Sequence, residues 1–458
     1  MTCALSPTKS TPRDGPEGDD RLRSPIIARM LADTAQPLDL APSDLDRLRR
    51  RTVWSLVAGV ALGSTGHIAA VTVATIVAQD LAGATAWSGA PGATVILGAA
   101  AGAVILAQVM VRGGRRTGLA VGYATSVVGA LIATASIVAV SLPGLLAGTF
   151  LIGFGNASNQ LSRYVAADLF PPARRASALG TVVWGATVGA IVGPNLVAPA
   201  GTLAVALGLP ELAGAYLMPI LFVGLATILT LVALRPDPYT LADVSSRHDM
   251  PGSDRSMAVS MRSVLARPNV PVAIVALVTV QVVMVLIMTM TPLHMTEHHH
   301  DLAAVGFVIS GHTFGMFGLS PISGRLTDRF GSVPVILAGL GVSAFASVLA
   351  AIAPPAGGVL LFVALFLLGY GWNLGYVAGS ALLTQDLSLS ERTRLQGLVD
   401  GLIWSSAAAA SLASGVVVAT ASYATLGLLG AGLVVVPMLL VIARRAAVAE
   451  HAAAQSSP

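Results

Sequence analysis

Gly324-Arg325-Leu326-Thr327-Asp328-Arg329-Phe330-Gly331 is a charged octapeptide set between two long apolar runs. Upstream, Val305 to Ser323 carries no Asp, Glu, Lys or Arg, and Val333 to Ala353 downstream carries none either. Each run approaches the roughly 20 residues a helix needs to cross the hydrocarbon core of a bilayer. A short connection with two arginines and an aspartate between two such runs predicts a tight hairpin on the cytoplasmic side, its basic groups in water beside anionic headgroups.

The whole chain has this character. Hydrophobic residues make up 55% of 458 and charged residues 10%, with a mean hydropathy of +0.79. Water-soluble domains carry about 25% charged residues, so most of this chain must face lipid or other helices. The single cysteine, Cys3, lies in a polar stretch, which leaves no basis for a disulfide or a thiolate metal site. A net charge of +4, with arginines scattered between apolar runs, does not fit a nucleic-acid partner. Residues 1–52 are rich in Pro, Asp, Ser and Arg without an apolar core near Met1, unlike a cleavable signal peptide. They are expected to form a disordered cytoplasmic tail.

Apolar runs predict twelve spans, near 53–79, 89–111, 117–140, 144–169, 176–198, 212–234, 270–292, 303–323, 333–353, 357–385, 395–418 and 422–443. The connections alternate. One set holds Arg112, Arg115 and Arg116, then Arg174 and Arg175, Arg325 and Arg329, Arg392 and Arg394; the other set has no Lys or Arg. The positive-inside rule puts the first set and both termini in the cytoplasm. This predicts an all-α membrane protein in the cell's inner (plasma) membrane. Its parts are a tail (1–52), an N-terminal six-helix half (53–234), a cytoplasmic linker (235–269), a C-terminal six-helix half (270–443) and a second cytoplasmic tail (444–458).

The halves repeat. A shift of 217 residues, from 107 to 324, sets Ala107 to Gly114 under Gly324 to Gly331, Gly98 under Gly315 and Gly180 under Gly397. Gly153 and Gly155 match Gly369 and Gly371 at a shift of 216. The expectation is two pseudo-symmetric six-helix halves.

The octapeptide, of pattern G-x-L-x-D-R-x-G, resembles the signature loop of the major facilitator superfamily of transporters. That resemblance implies that Gly324, Asp328, Arg329 and Gly331 form a gating loop, in which Asp328 and Arg329 latch onto the start of the fifth span near Arg174 and Arg175. A carboxylate at a helix N-terminus accepts from free N–H groups and opposes the positive end of the dipole. Ordinary solvated loop charges are the alternative. The N-half copy departs from the pattern, with Val111 in place of the Asp and Ala107 in place of the first Gly, which puts a symmetric pair of latches in doubt.

The fifth span reads Gly180-x8-Gly189-x3-Gly193-Pro194. The spacing resembles a motif of drug:proton antiporters, although the glycine pair that normally ends it is replaced by Val197 and Ala198. Small residues at this spacing also serve plain helix packing. In the fourth span, Thr149 occupies the position of an arginine found in proton-coupled drug exporters.

Ionisable groups inside spans are costly to bury and therefore functional candidates. Asp400, His67 and His312 are candidates for proton coupling. Asp400 could instead cap a helix or pair with Arg112, and each histidine could be neutral and satisfied by backbone. Arg163 could pair with Asp168 or with the loop of its own half. Polar and aromatic residues at mid-span, Asn156, Asn159, Gln281, Trp372 and Asn373, together with His67, are candidates for lining a cavity made by spans 1, 4, 7 and 10. His294, His298, His299 and His300 fall in one outer loop. A solvated turn, metal binding and pH sensing are all readings of that loop, and no metal site is assigned.

Nothing resembles a nucleotide-binding loop or a catalytic triad, and no cofactor is implied. The reading is a secondary active transporter, not an enzyme. It exchanges protons for a small amphipathic molecule outward across the lipid bilayer, as a monomer, by alternating access. Uptake or facilitated passage of a metabolite is the second reading, and a non-transporting membrane sensor the third.

Overall fold

The computed structural model describes residues 42–82, 87, 89–242, 261–300, 302–354, 358–385 and 387–456. Among these, nine helices are long and apolar enough to cross a membrane. One of the nine, Ala90–Val138, is two spans, broken where Gly114 adopts φ +85° and ψ 167°. Leu142–Asp168 and the pair Leu302–Phe317 and Ser320–Phe330 complete the set of twelve.

We number the spans α1 (Pro42–Ala82), α2 (90–113), α3 (115–138), α4 (Leu142–Asp168), α5 (Arg175–Trp184 continued by Ala186–Asn195) and α6 (Gly214–Ala233). In the second half they are α7 (Asn269–Met288), α8 (Leu302–Phe317 with Ser320–Phe330), α9 (Ser332–Ile352), α10 (Gly358–Leu383), α11 (Leu389–Thr420) and α12 (Tyr423–Ser456). The fold is all-α, with two six-helix halves.

The repeat is visible in the backbone. Gly331, which separates α8 from α9, adopts φ +87° and ψ 159°, nearly the values of Gly114 between α2 and α3. That left-handed conformation is reached without strain only by glycine, which explains why both copies of the loop keep this residue. Large apolar side chains such as Val359, Leu412 and Val416 point outward with more than 60% of their surface exposed. Such a surface suits lipid and not water.

Element ends differ from the expectation at four places. The first helix begins at Pro42, inside the predicted tail, because Leu45 is buried and the Arg49 guanidinium lies 5.9 Å from the Phe170 ring centroid. Residues 1–41 lie outside the described structure. The last helix runs on to Ser456, through the predicted second tail. Within the expected linker, Met261–Leu265 is helical, while 243–260 lie outside the described residues. The octapeptide is also not a turn. Residues 324–330 are the closing turns of α8, held by Thr327 Oγ1 donating to the Ser323 carbonyl at 2.8 Å, and the chain reverses only at Gly331.

Candidate functional site

At the arginine-bearing end, the halves are joined by side chains that each reach across the boundary. The Asp328 carboxylate accepts from the backbone N–H of Ala176 at 3.1 Å and of Ser177 at 2.9 Å. Those are the first free amides of α5, so a carboxylate from one half caps a helix of the other. The helices can approach this closely because Gly180 and Gly324 lack side chains: a Cβ at Gly180 would lie 2.3 Å from the Ser320 carbonyl oxygen. The repeat-related Gly397 plays the same part where α11 meets α2, its Cβ position 2.6 Å from the Ala103 carbonyl oxygen.

Deeper in, Arg163 on α4 meets Asp400 on α11, Nη2 to Oδ1, at 2.6 Å, both side chains almost fully buried. Five acceptor contacts satisfy the guanidinium: Ser380 Oγ, the Gln160 carbonyl and side-chain oxygens, the Tyr164 hydroxyl and Asp400. The Tyr164 and Tyr376 rings each lie 4.2 Å from the guanidinium carbon. Tyr164 also donates to Asp400 Oδ1 at 3.3 Å, whereas Asp400 Oδ2 has no partner. The structure therefore pairs Asp400 with Arg163 and not with Arg112. Arg163 accordingly reaches neither Asp168 nor its own loop. Depth decides the pairing: only a second buried charge offsets burying the first.

A second cluster seals the edge near α3. Buried Arg115 pairs with Asp168 and donates to Gln396 Oε1 of α11 at 3.0 Å. Arg392 stands 3.6 Å from the other Asp168 oxygen, an ion-pair distance and not a hydrogen bond. Asp237, just beyond α6, accepts from the N–H groups of Arg115 and Arg116, both at 3.1 Å, and so caps α3. Burial raises its carboxyl above the usual aspartate range, while these amide hydrogen bonds pull it back. Arg175 donates to the Thr384 carbonyl across the halves at 3.1 Å. Between described residues, every hydrogen bond that joins the halves lies at this end.

The other candidates divide. On the second half, Phe317, Trp372 and Tyr376 form an aromatic column. Trp372 and Tyr376 stack at 4.3 Å, Phe317 meets Trp372 edge-on at 5.8 Å, and Gln281 Oε1 accepts from Trp372 Nε1 at 2.8 Å. The column ends at Arg163 through Tyr376. Asn159 accepts from the Tyr123 hydroxyl at 2.9 Å and donates to Ser64 at 3.3 Å, bracing α4 against α1 and α3. Asn156 and His67 are partly exposed, and His67 Nδ1 has no partner. Asn373 is fully buried, donates to the Met316 carbonyl and Ser320 Oγ, both at 2.6 Å, and so ties α10 to α8. His312 is a core histidine whose Nδ1 lies 2.8 Å from the Leu365 carbonyl.

Of the α5 motif, Gly180 faces the other half, whereas Gly189 and Gly193 pack on α1 against Ser64, Thr65 and Ile68, and Pro194 is exposed. His294 stacks on Tyr423 at 4.2 Å, and among described residues no group of three or more His, Cys, Asp or Glu is placed to hold a metal ion.

The sequence matches the Major Facilitator Superfamily over residues 53–302 and 272–457. The chain belongs to this superfamily. It is a multi-pass membrane transporter and not an enzyme. The chain is 35% identical over 403 residues to the uncharacterised MFS-type transporter YdeG of Bacillus subtilis (strain 168), an alignment covering 87% of this chain and 94% of that one. It is 29% identical over 408 residues to the riboflavin transporter RfnT of Brucella anthropi, covering 88% and 98%. The crystal structure of the human organic anion transporter MFSD10 (TETRAN) superposes with a TM-score of 0.68 at 15% identity, covering 86% of this chain and 99% of that one. At that identity the likeness speaks to fold alone.

Sequence reasoning passed over Tyr164, Tyr376, Ser380, Gln396 and Asp237, and took Arg115 only as a loop charge. The repeat held a signal for one contact. Gln160 and Tyr376 are 216 residues apart, the shift that matches α4 to α10, so these repeat mates meet each other across the halves.

Proposed function

We propose that this transporter carries a small, planar amphipathic molecule in exchange for protons, with Arg163–Asp400 as the element that couples proton to gate. The supporting observation is the position of that pair: it ties α4 to α11 across the boundary that must open, and it touches the aromatic column through Tyr376. Protonation at the unpartnered Asp400 oxygen removes the charge that holds Arg163, so the halves can part at this end. A flat ring system laid against Trp372 and Tyr376 would compete for the same aromatic faces that hold the guanidinium.

With the arginine-bearing loops in the cytoplasm of a plasma-membrane protein, the conformation described is closed inward. Asp328, Arg329 and the two loop glycines then act as the inward latch. The arrangement of Gly180, Gly189, Gly193 and Pro194 favours export. A specific observation favours uptake as the second reading: a relative of nearly full length is named a riboflavin transporter. Vesicles of both orientations, given a proton gradient and a panel of flavins and planar cationic dyes, separate the two. Accumulation in everted vesicles with substrate-induced proton movement supports export. Flavin accumulation in right-side-out vesicles alone supports uptake, and substrate movement indifferent to the proton gradient rejects coupling.

A further inference from the structure

The two copies of the charged loop end differently, and the difference leaves a cleft between the described residues. In the second half, Asp328 supplies the carboxylate that spans to α5. Its repeat mate is Val111, and the corresponding approach of α2 to α11 leaves a cleft of about 280 Å³ instead. Apolar Ala107, Val111 and Leu398 form its walls, while Gln108, Arg112 and Arg394 supply its polar rim. Arg112 and Arg394 are both exposed, and neither makes an ion pair or side-chain hydrogen bond among the described residues. Among the described residues, no carboxylate lines the cleft. Arg115 and Arg392, the nearby arginines of α3 and α11, are already engaged with Asp168.

We propose that this cleft binds one anionic phospholipid, its phosphate between Arg112 and Arg394 and an acyl chain along Val111 and Leu398. The location argues for lipid. The cleft lies at the end of two spans, where headgroups and chains meet the protein, and basic pockets between spans at that depth select anionic headgroups. Charge argues likewise, since two guanidinium groups without an ion-pair partner among the described residues, above an apolar wall, match an amphiphile with a negative head. The lipid would thus provide, between α2 and α11, the negative charge that Asp328 provides between α8 and α5.

Native mass spectrometry of the full chain, released from vesicles of phosphatidylglycerol and phosphatidylcholine in equal parts, tests this. The expectation is one phosphatidylglycerol retained at detergent concentrations that strip phosphatidylcholine. The variant Arg112→Gln/Arg394→Gln should lose that adduct, and Val111→Asp should lose it too, because a protein carboxylate would then take the arginines. Arg325→Gln/Arg329→Gln, which removes the same charge from the other loop, should keep it. Inorganic phosphate at millimolar excess should not displace it. Retention unchanged in Arg112→Gln/Arg394→Gln, equal loss in both arginine-pair variants, or displacement by inorganic phosphate overturns the proposal.

Discussion

Arg163 and Asp400 lie 2.6 Å apart, buried, though they stand 237 positions apart in the chain, one in each half of the molecule. Removing one member leaves the other charge buried and alone, which costs about 3–5 kcal/mol, whereas replacing both by apolar groups of similar volume is close to neutral. Arg163→Met and Asp400→Leu should each lower the melting temperature markedly, and the double variant should recover most of the loss while remaining inactive in proton-driven transport. A double variant as unstable as the sum of the singles would remove the pair from the account.

Asp328 should govern how often the arginine-bearing end opens. Charge and capping at a helix N-terminus are worth roughly 0.3–2 kcal/mol, so Asp328→Asn should shift the open-to-closed ratio at this end about 2- to 30-fold toward open. Distances between spin labels on α5 and α8 report that ratio. An unchanged distribution would reduce Asp328 to a solvated charge.

Gly180 admits no side chain without moving backbone, since its Cβ position lies 2.3 Å from a carbonyl oxygen of the opposite half. Gly180→Val should hold the arginine-bearing end ajar, raising thiol labelling of a cysteine placed at Ser323 and abolishing transport at normal membrane expression. Gly224→Val, where a Cβ meets open space, is the control and should leave labelling unchanged.

The aromatic column predicts substrate selectivity. Trp372→Ala should weaken transport of planar substrates by about 5- to 100-fold, the range of one to two lost stacking contacts. Trp372→Phe should restore much of it. Transport that is equally insensitive to both changes would move the substrate elsewhere in the path.

By itself the sequence determined the membrane class, the twelve spans, the internal repeat and the residues worth watching. Those properties follow from local chemistry: apolar run length sets the span, arginine placement marks the loops, and a glycine required at φ above zero marks both copies of the reversal. Tertiary structure alone decided the partners. Arg163 has Asp168 within a turn or two of the same helix, yet it binds Asp400, because the guanidinium is buried facing the other half and only Asp400 lies at that depth. Asn373 and Asn159 look alike as mid-span amides, but helix rotation turns one into a brace for α8 and the other into a brace for α1. The octapeptide itself resembles a loop when read by charge, and it is helical to Phe330 because its Asp carboxylate is aimed at another helix rather than at water. A long-range carboxylate-to-amide contact of this kind leaves no periodic trace along the chain.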